Sequence, residues 1–171
     1  AANVLSPGDT LFVREGNYPE NVNINVSGSE GNYIVFKAYE DEQVTMNPGS
    51  FYGWNISYFV IDGFHLLNMV EKPGIEFEGE GSHVEIRNNE IAGQDAENAA
   101  ALRIGGYMHH FIIDGNHIHH NNTGHQEGIR VHNFTHDFEI TNNEVNNNVN
   151  IGIDVVGWSI YGKPKNGLIS R

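Results

Sequence analysis

One phrase returns four times along the chain: VIDGFHL at 60–66, EIRNNEI at 85–91, IIDGNHI at 112–118 and EITNNEV at 139–145, with steps of 25, 27 and 27 residues between their starts. A second phrase keeps the same beat between them: GIEFEG at 74–79, ALRIGG at 101–106, GIRVHN at 128–133 and GIDVVG at 152–157. Self-similarity at such a period marks stacked units, each burying its apolar face against its neighbours. Inside GIRVHN, Ile129 and Val131 alternate with Arg130 and His132, which is strand periodicity, and no segment shows sustained helical spacing. The expected unit is a coil of two short strands separated by Gly- and Asn-rich corners. Gly63, Asn88, Gly115 and Asn142 fall in register at one corner, and Gly and Asn tolerate a left-handed backbone. The next position carries Asn89, Asn116 and Asn143, whose amides can stack and hydrogen-bond from coil to coil. A globular sandwich would show hairpin turn signals but no fixed long period. The fold class expected is all-β, a solenoid of about six coils, with one domain over 1–171, a first coil at about 7–50 and repeating coils at about 51–171.

These coils, with the opening PGDTLFVREGNYPENVNI at 7–24, resemble the right-handed parallel β-helix of the pectate-lyase-like superfamily, and the opening is similar to the first coil of many secreted carbohydrate-active members. The resemblance covers nearly the whole chain. It implies a polysaccharide partner, an extracellular or cell-surface location, and for members that cleave uronates a bridging Ca²⁺. Asn- and Gly-rich coils recur across lyases, hydrolases, epimerases and tailspikes, so the scaffold by itself does not name an activity. Related chains carry an N-terminal helix that plugs the first coil, whereas only AANVLS precedes the opening here, and NGLISR at 166–171 starts another repeat strand without its corner. The ends therefore read as incomplete, to be covered by further chain or by subunits, with end-to-end stacking as the alternative.

Charge and composition narrow the partners. Twenty-two acidic residues against nine basic give a net charge of −13, which argues against a phosphate-tracking nucleic-acid surface. No apolar run is long enough to span a membrane as a helix. Cysteine is absent, so there is neither a disulfide framework nor a thiolate metal site.

Registering the second phrase nominates one face. Ile75, Leu102, Ile129 and Ile153 stack inside, as do Phe77, Ile104, Val131 and Val155, while Glu76, Arg103, Arg130 and Asp154 form an outward column about 4.8 Å from coil to coil. That column reads either as a ladder of surface ion pairs or as a site. In the second reading Arg103 and Arg130 clamp a sugar carboxylate, and His132, in the next outward column with Glu78 and Gly105, is the base beside Arg130. Catalytic candidates are therefore Arg130, His132 and Arg103. Substrate-binding candidates are Glu76, Glu127, His125 and Asp154, with Trp158 just beyond the last strand.

Eight of the ten histidines lie between 109 and 136. His117 is equivalent to His65, Glu90 and Glu144 and reads as an outward coil residue, whereas His119, His120 and His125 occupy the loop HHNNTGHQEG leading into the Arg130 strand. With Glu127 they read as solvated loop residues or as an N/O ligand set, and no HExxH signature supports the second. The oxygen-rich stretches GQDAEN at 93–98 and Asn146, Asn147, Asn148, Asn150 and Asp154 suit either turns or Ca²⁺. The aligned strands hold no carboxylate set of the kind glycoside hydrolysis uses. The favoured expectation is part of a polysaccharide lyase or related uronate-modifying enzyme; the alternatives are a non-catalytic glycan-binding or surface module and a structural solenoid.

Overall fold

The computed structural model describes residues 4–157, 160 and 162–171 and contains no α-helix among them. The chain winds through three parallel sheets in turn. The first holds seven strands: β1 (Thr10–Val13), β4 (Ile34–Ala38), β7 (Phe59–Asp62), β10 (Val84–Arg87), β13 (His109–Asp114), β16 (His136–Thr141) and β19 (Lys165–Ser170). The second holds six: β2 (Gly16–Asn17), β5 (Val44–Met46), β8 (Phe64–Leu67), β11 (Glu90–Ala92), β14 (His117–His119) and β17 (Glu144–Asn146). The third also holds six: β3 (Asn21–Ile24), β6 (Ser50–Trp54), β9 (Ile75–Glu78), β12 (Leu102–Ile104), β15 (Ile129–His132) and β18 (Ile153–Val156). Every strand pairs with the strand one coil away, so six coils stack as a parallel β-helix.

Each coil thus has three strands, where the sequence pattern suggests two. The first phrase is not one strand followed by a corner. Its middle bends, with φ of 84° at Gly63, 56° at Asn88, 65° at Gly115 and 53° at Asn142, and the residues on either side belong to different sheets. A bend that sharp needs a left-handed residue, which Gly supplies without steric penalty and Asn with little. The strands beyond it are only three or four residues long, too short for their own alternation to stand out from the phrase.

Alternation within each strand fills the interior. Ile75, Leu102 and Ile129 are fully buried in one column, and Phe77, Ile104 and Val131 in the next. Aromatic rings also stack between coils, with Phe111 and Phe138 5.1 Å apart and nearly parallel. Ile153 is only half-buried and Val155 is exposed, because β18 is an edge strand.

Backbone groups at two corners face inward and find partners in amide ladders. Asn116, 1% exposed, donates through Nδ2 to Ile86 O at 2.9 Å and to Asn143 Oδ1 at 2.9 Å, and its Oδ1 accepts from Asn89 N at 3.0 Å. Asn89 in turn accepts from Phe64 N at 3.0 Å. A second ladder, not evident in the repeat, runs through Gln94, Asn121 and Asn148: Gln94 N donates to Asn121 Oδ1 at 3.0 Å and Asn121 N to Asn148 Oδ1 at 3.2 Å. Replacing Asn116 with Ala strands buried polar groups on both neighbouring coils. The expected loss is about 1–3 kcal/mol, read as a lowered denaturation midpoint with little change in slope.

Outside the first sheet, histidines stack where the interior has aromatics. His109 lies 4.9 Å from His136 with parallel rings, and His83 lies 5.1 Å from His110. Burial, followed by the neighbouring His136, His110 and His83, pushes the His109 pKa below its ordinary value, with Asp137 opposing. The folded state then holds its proton less well than the unfolded state does. The resulting stability is present above about pH 6.5 and declines as the pH falls from there toward the lower folded value. Denaturation midpoints should fall on mild acidification, and His109→Gln should flatten that slope.

Candidate functional site

On the third sheet the same alternation that buries Ile75, Leu102 and Ile129 turns Glu76, Arg103, Arg130 and Asp154 outward, and the pairing places them opposite one another strand by strand. The next outward column is Trp54, Glu78, Gly105 and His132, where Trp54 pairs with Glu78. The ion pairing does not simply alternate along the column. Arg103 reaches back one coil, bonding Glu76 through Nη2 and holding its Nε 3.3 Å from Glu78 Oε1. Arg130 turns instead to residues just before its own strand, bonding the Gln126 side chain and approaching Glu127 Oε2 at 3.4 Å.

His132 crosses an entire coil. Its Nε2 lies 2.7 Å from Glu78 Oε1, although the two residues sit two strands apart in the sheet. The intervening position is Gly105, where a Cβ would stand 2.1 Å from His132 Nε2 and 2.6 Å from Glu78 Oε2. A missing side chain therefore makes the dyad. The Glu78 carboxylate, as acceptor, favours the tautomer with the proton on Nε2 and leaves Nδ1 with a lone pair.

Above these groups lies a cleft of about 350 Å³, lined by Asn98, Arg103, Gln126, Arg130, His132, Asn133 and Val156. Among the described residues the lining presents guanidinium, imidazole and amide groups and no carboxylate. The acids that balance the charge stand behind it: Glu127 is 5% exposed, and burial, with Asp154 adding to it, pushes its carboxyl pKa up against the pull of Arg130. Among the described residues the buried Nε of Arg130 has no hydrogen-bond acceptor, and that of Arg103, though 3.3 Å from Glu78 Oε1, is not aligned for a hydrogen bond. The arrangement can receive an anion on one side and a proton on His132 on the other.

All three catalytic candidates, Arg103, Arg130 and His132, converge on this cleft. Glu76 and Glu127 are partners of the arginines rather than lining residues, and Asp154 flanks Arg130 in register. His125 is exposed in its loop and outside the lining. Trp158 lies outside the described residues. The cleft does not fit the Ca²⁺ implied by the resemblance, since a hard cation needs oxygen ligands and meets two guanidiniums here. Nor are the Asn146–Asn150 amides gathered toward one point: Asn148 belongs to the buried ladder, Asn146 binds Glu144, and Asn150 donates to Gln126 O at 3.2 Å.

Two residues of this face are not singled out by the repeat. Tyr52 pairs with Glu76 and Trp54 with Glu78, so both extend the outward columns one coil beyond the acids, with 37% and 56% of their surface exposed. Burial, then Glu76 and Glu78, raise the Tyr52 phenol pKa. Their signal in the sequence is the alternation of SFYGW, which departs from the second phrase in composition but keeps its spacing.

The sequence pattern of the right handed beta helix region matches residues 49–160. This chain is a member of the right-handed β-helix family. The β-helix is 28% identical over 118 residues to the uncharacterized protein YwoF of Bacillus subtilis (strain 168), covering 69% of this chain and 23% of that protein, so it spans less than a quarter of that relative's length. Among solved structures it resembles a putative glycosyl hydrolase from Parabacteroides merdae ATCC 43184, with a TM-score of 0.62 at 12% identity over 95% of this chain and 81% of the other. At that identity the likeness is one of fold.

Gly105→Ala tests the geometry of the β-helix directly. The added methyl forces His132 away from Glu78, which should cost about 1–3 kcal/mol of stability. It should also move the His132 ring resonances in an NMR titration, while Gly152→Ala, with its nearest neighbour 3.5 Å away, should leave them in place.

Proposed function

We propose that the third-sheet cleft is a glycan site that accepts a uronate unit and cleaves beside it by β-elimination. The observation that carries this reading is the cleft lining, in which two guanidiniums and one oriented imidazole converge without a carboxylate. Glycoside hydrolysis uses a carboxylic acid and a carboxylate flanking the bond, and the lining offers neither. Elimination needs a cationic clamp on the sugar carboxylate and a base for the adjacent proton. Arg103 and Arg130 supply the clamp, with Glu76, Glu78 and Glu127 fixing their positions.

The chemistry then follows from the His132–Glu78 pair. His132 Nδ1 takes the proton on the carbon next to the carboxylate, and the electron pair forms a carbon–carbon double bond. The bond to the glycosidic oxygen breaks, and the imidazolium returns the proton to that leaving oxygen. Glu78, 2.7 Å away, stabilises the imidazolium between these steps. Tyr52 and Trp54 extend the face by one coil and offer ring surfaces on which neighbouring sugars can stack. The name of the Parabacteroides merdae structure supports a carbohydrate role without specifying the reaction. A polysaccharide substrate would place the protein outside the cell or at its surface.

A panel of polyuronates, followed by the ultraviolet absorbance of the unsaturated product, tests the reaction. His132→Gln is expected to lower kcat about 10²–10⁴-fold with the fold intact by circular dichroism, and Arg130→Lys to raise KM. Saturable binding without turnover, weakened by Trp54→Ala, would instead make this a glycan-binding module. Reducing ends without ultraviolet absorbance would mean hydrolysis and overturn the role given to His132.

A further inference from the structure

The second sheet carries an outward column of its own: His65, Glu90, His117 and Glu144 pair in register on β8, β11, β14 and β17. Two residues on, the neighbouring column places His119 opposite Ala92 and Asn146. His117 and His119 therefore point to the same side of one strand, separated by a single inward residue, Ile118. One ligand atom from each of Glu90, His117 and His119 can be chosen so that all three lie within 4.8 Å of one another. The His117 and His119 rings are 3.9 Å apart, and His119 Nε2 lies 2.9 Å from Glu90 Oε1. We propose that Glu90, His117 and His119 form a binding site for a divalent transition metal, best matched to Zn²⁺, on the second sheet.

The donor set decides the class of metal. Two imidazole nitrogens and one carboxylate oxygen suit Zn²⁺ and its Irving–Williams neighbours, whereas Ca²⁺ and Mg²⁺ prefer oxygen alone. Tetrahedral ligands about 2.1 Å from a zinc ion stand roughly 3.4 Å apart, so small side-chain rotations close the present spacing. The hydrogen bond between His119 Nε2 and Glu90 Oε1 spans the place the cation would take. Outer partners already orient the ligands: His65 binds the other oxygen of Glu90, and His120 Nδ1 lies 2.7 Å from His119 Nδ1. With three protein ligands, all only half-buried, the fourth position is left to water or an added ligand. The bound ion would join β11 to β14, tying adjacent coils on a face other than that of the cleft.

The test is calorimetric titration of the tag-free, chelator-treated chain with Zn²⁺, with Co²⁺ as a spectroscopic stand-in. One equivalent should bind, the thermal midpoint should rise with Zn²⁺, and Co²⁺ should give the intense visible bands of a tetrahedral site. His117→Ala and His119→Ala should each abolish the stoichiometric event. His65→Ala should weaken it about 10–100-fold, as expected of a residue that only orients a ligand. His110→Ala and His125→Ala, which alter histidines elsewhere, should leave it unchanged. Failure to bind one equivalent would overturn the proposal, and so would binding that survives loss of His117 and His119 but disappears with His110. The polyuronate assay bears on the other sheet and can fail or succeed independently.

Discussion

In-register pairing between consecutive coils is the constraint on which everything else rests. Because each strand hydrogen-bonds to the strand one coil away, residues separated by 20 to 29 positions in the chain become neighbours about 4.8 Å apart. Inside, that spacing demands columns of similar apolar side chains, since a mismatch cannot be absorbed laterally in a tube this narrow. At the corners it demands that inward-facing backbone groups be satisfied from the coil above or below, which the two amide ladders achieve. Outside, it sets charged and aromatic groups in rows, so a site on this scaffold is assembled from many coils rather than from one loop.

Column logic explains what could be read from the sequence. The corner at 63, 88, 115 and 142, the register of Glu76, Arg103, Arg130 and Asp154, and the two interior columns up to Ile129 and Val131 were legible, because all of these repeat with the coil; Ile153 and Val155 are less buried on the edge strand. The repeat undercounted the strands, because those beyond the bend are only three or four residues long and their alternation is lost within the phrase. The partners of Arg130 were not legible either: they are Gln126 and Glu127, in the connection before β15, where the coils differ in length and composition. His117 reads as an ordinary outward residue from its column alone. Glu90 shares that column, but the approach of His119 depends on two adjacent columns leaning together, which a single register cannot show.

The two faces use one device in different ways. On the third sheet, carboxylates stand behind the cationic groups and hold them toward a cleft. On the second sheet, a carboxylate stands between imidazoles and accepts a hydrogen bond at each of its oxygens. The scaffold thus keeps its acids close to its bases, and a net charge of −13 coexists with a cleft whose lining has none of those acids.

The gap at Gly105 has a consequence for how such a chain can change. Solenoids grow and shrink by whole turns, and most turns of this one could be added or lost with only a local shift in length. Glu78 and His132, however, meet across one coil of fixed thickness, through an absent side chain. A turn inserted between β9 and β15 would part them by another strand spacing, and a turn removed there would set them side by side. The stretch from β9 to β15 is therefore the part of the ladder whose rungs cannot be recounted.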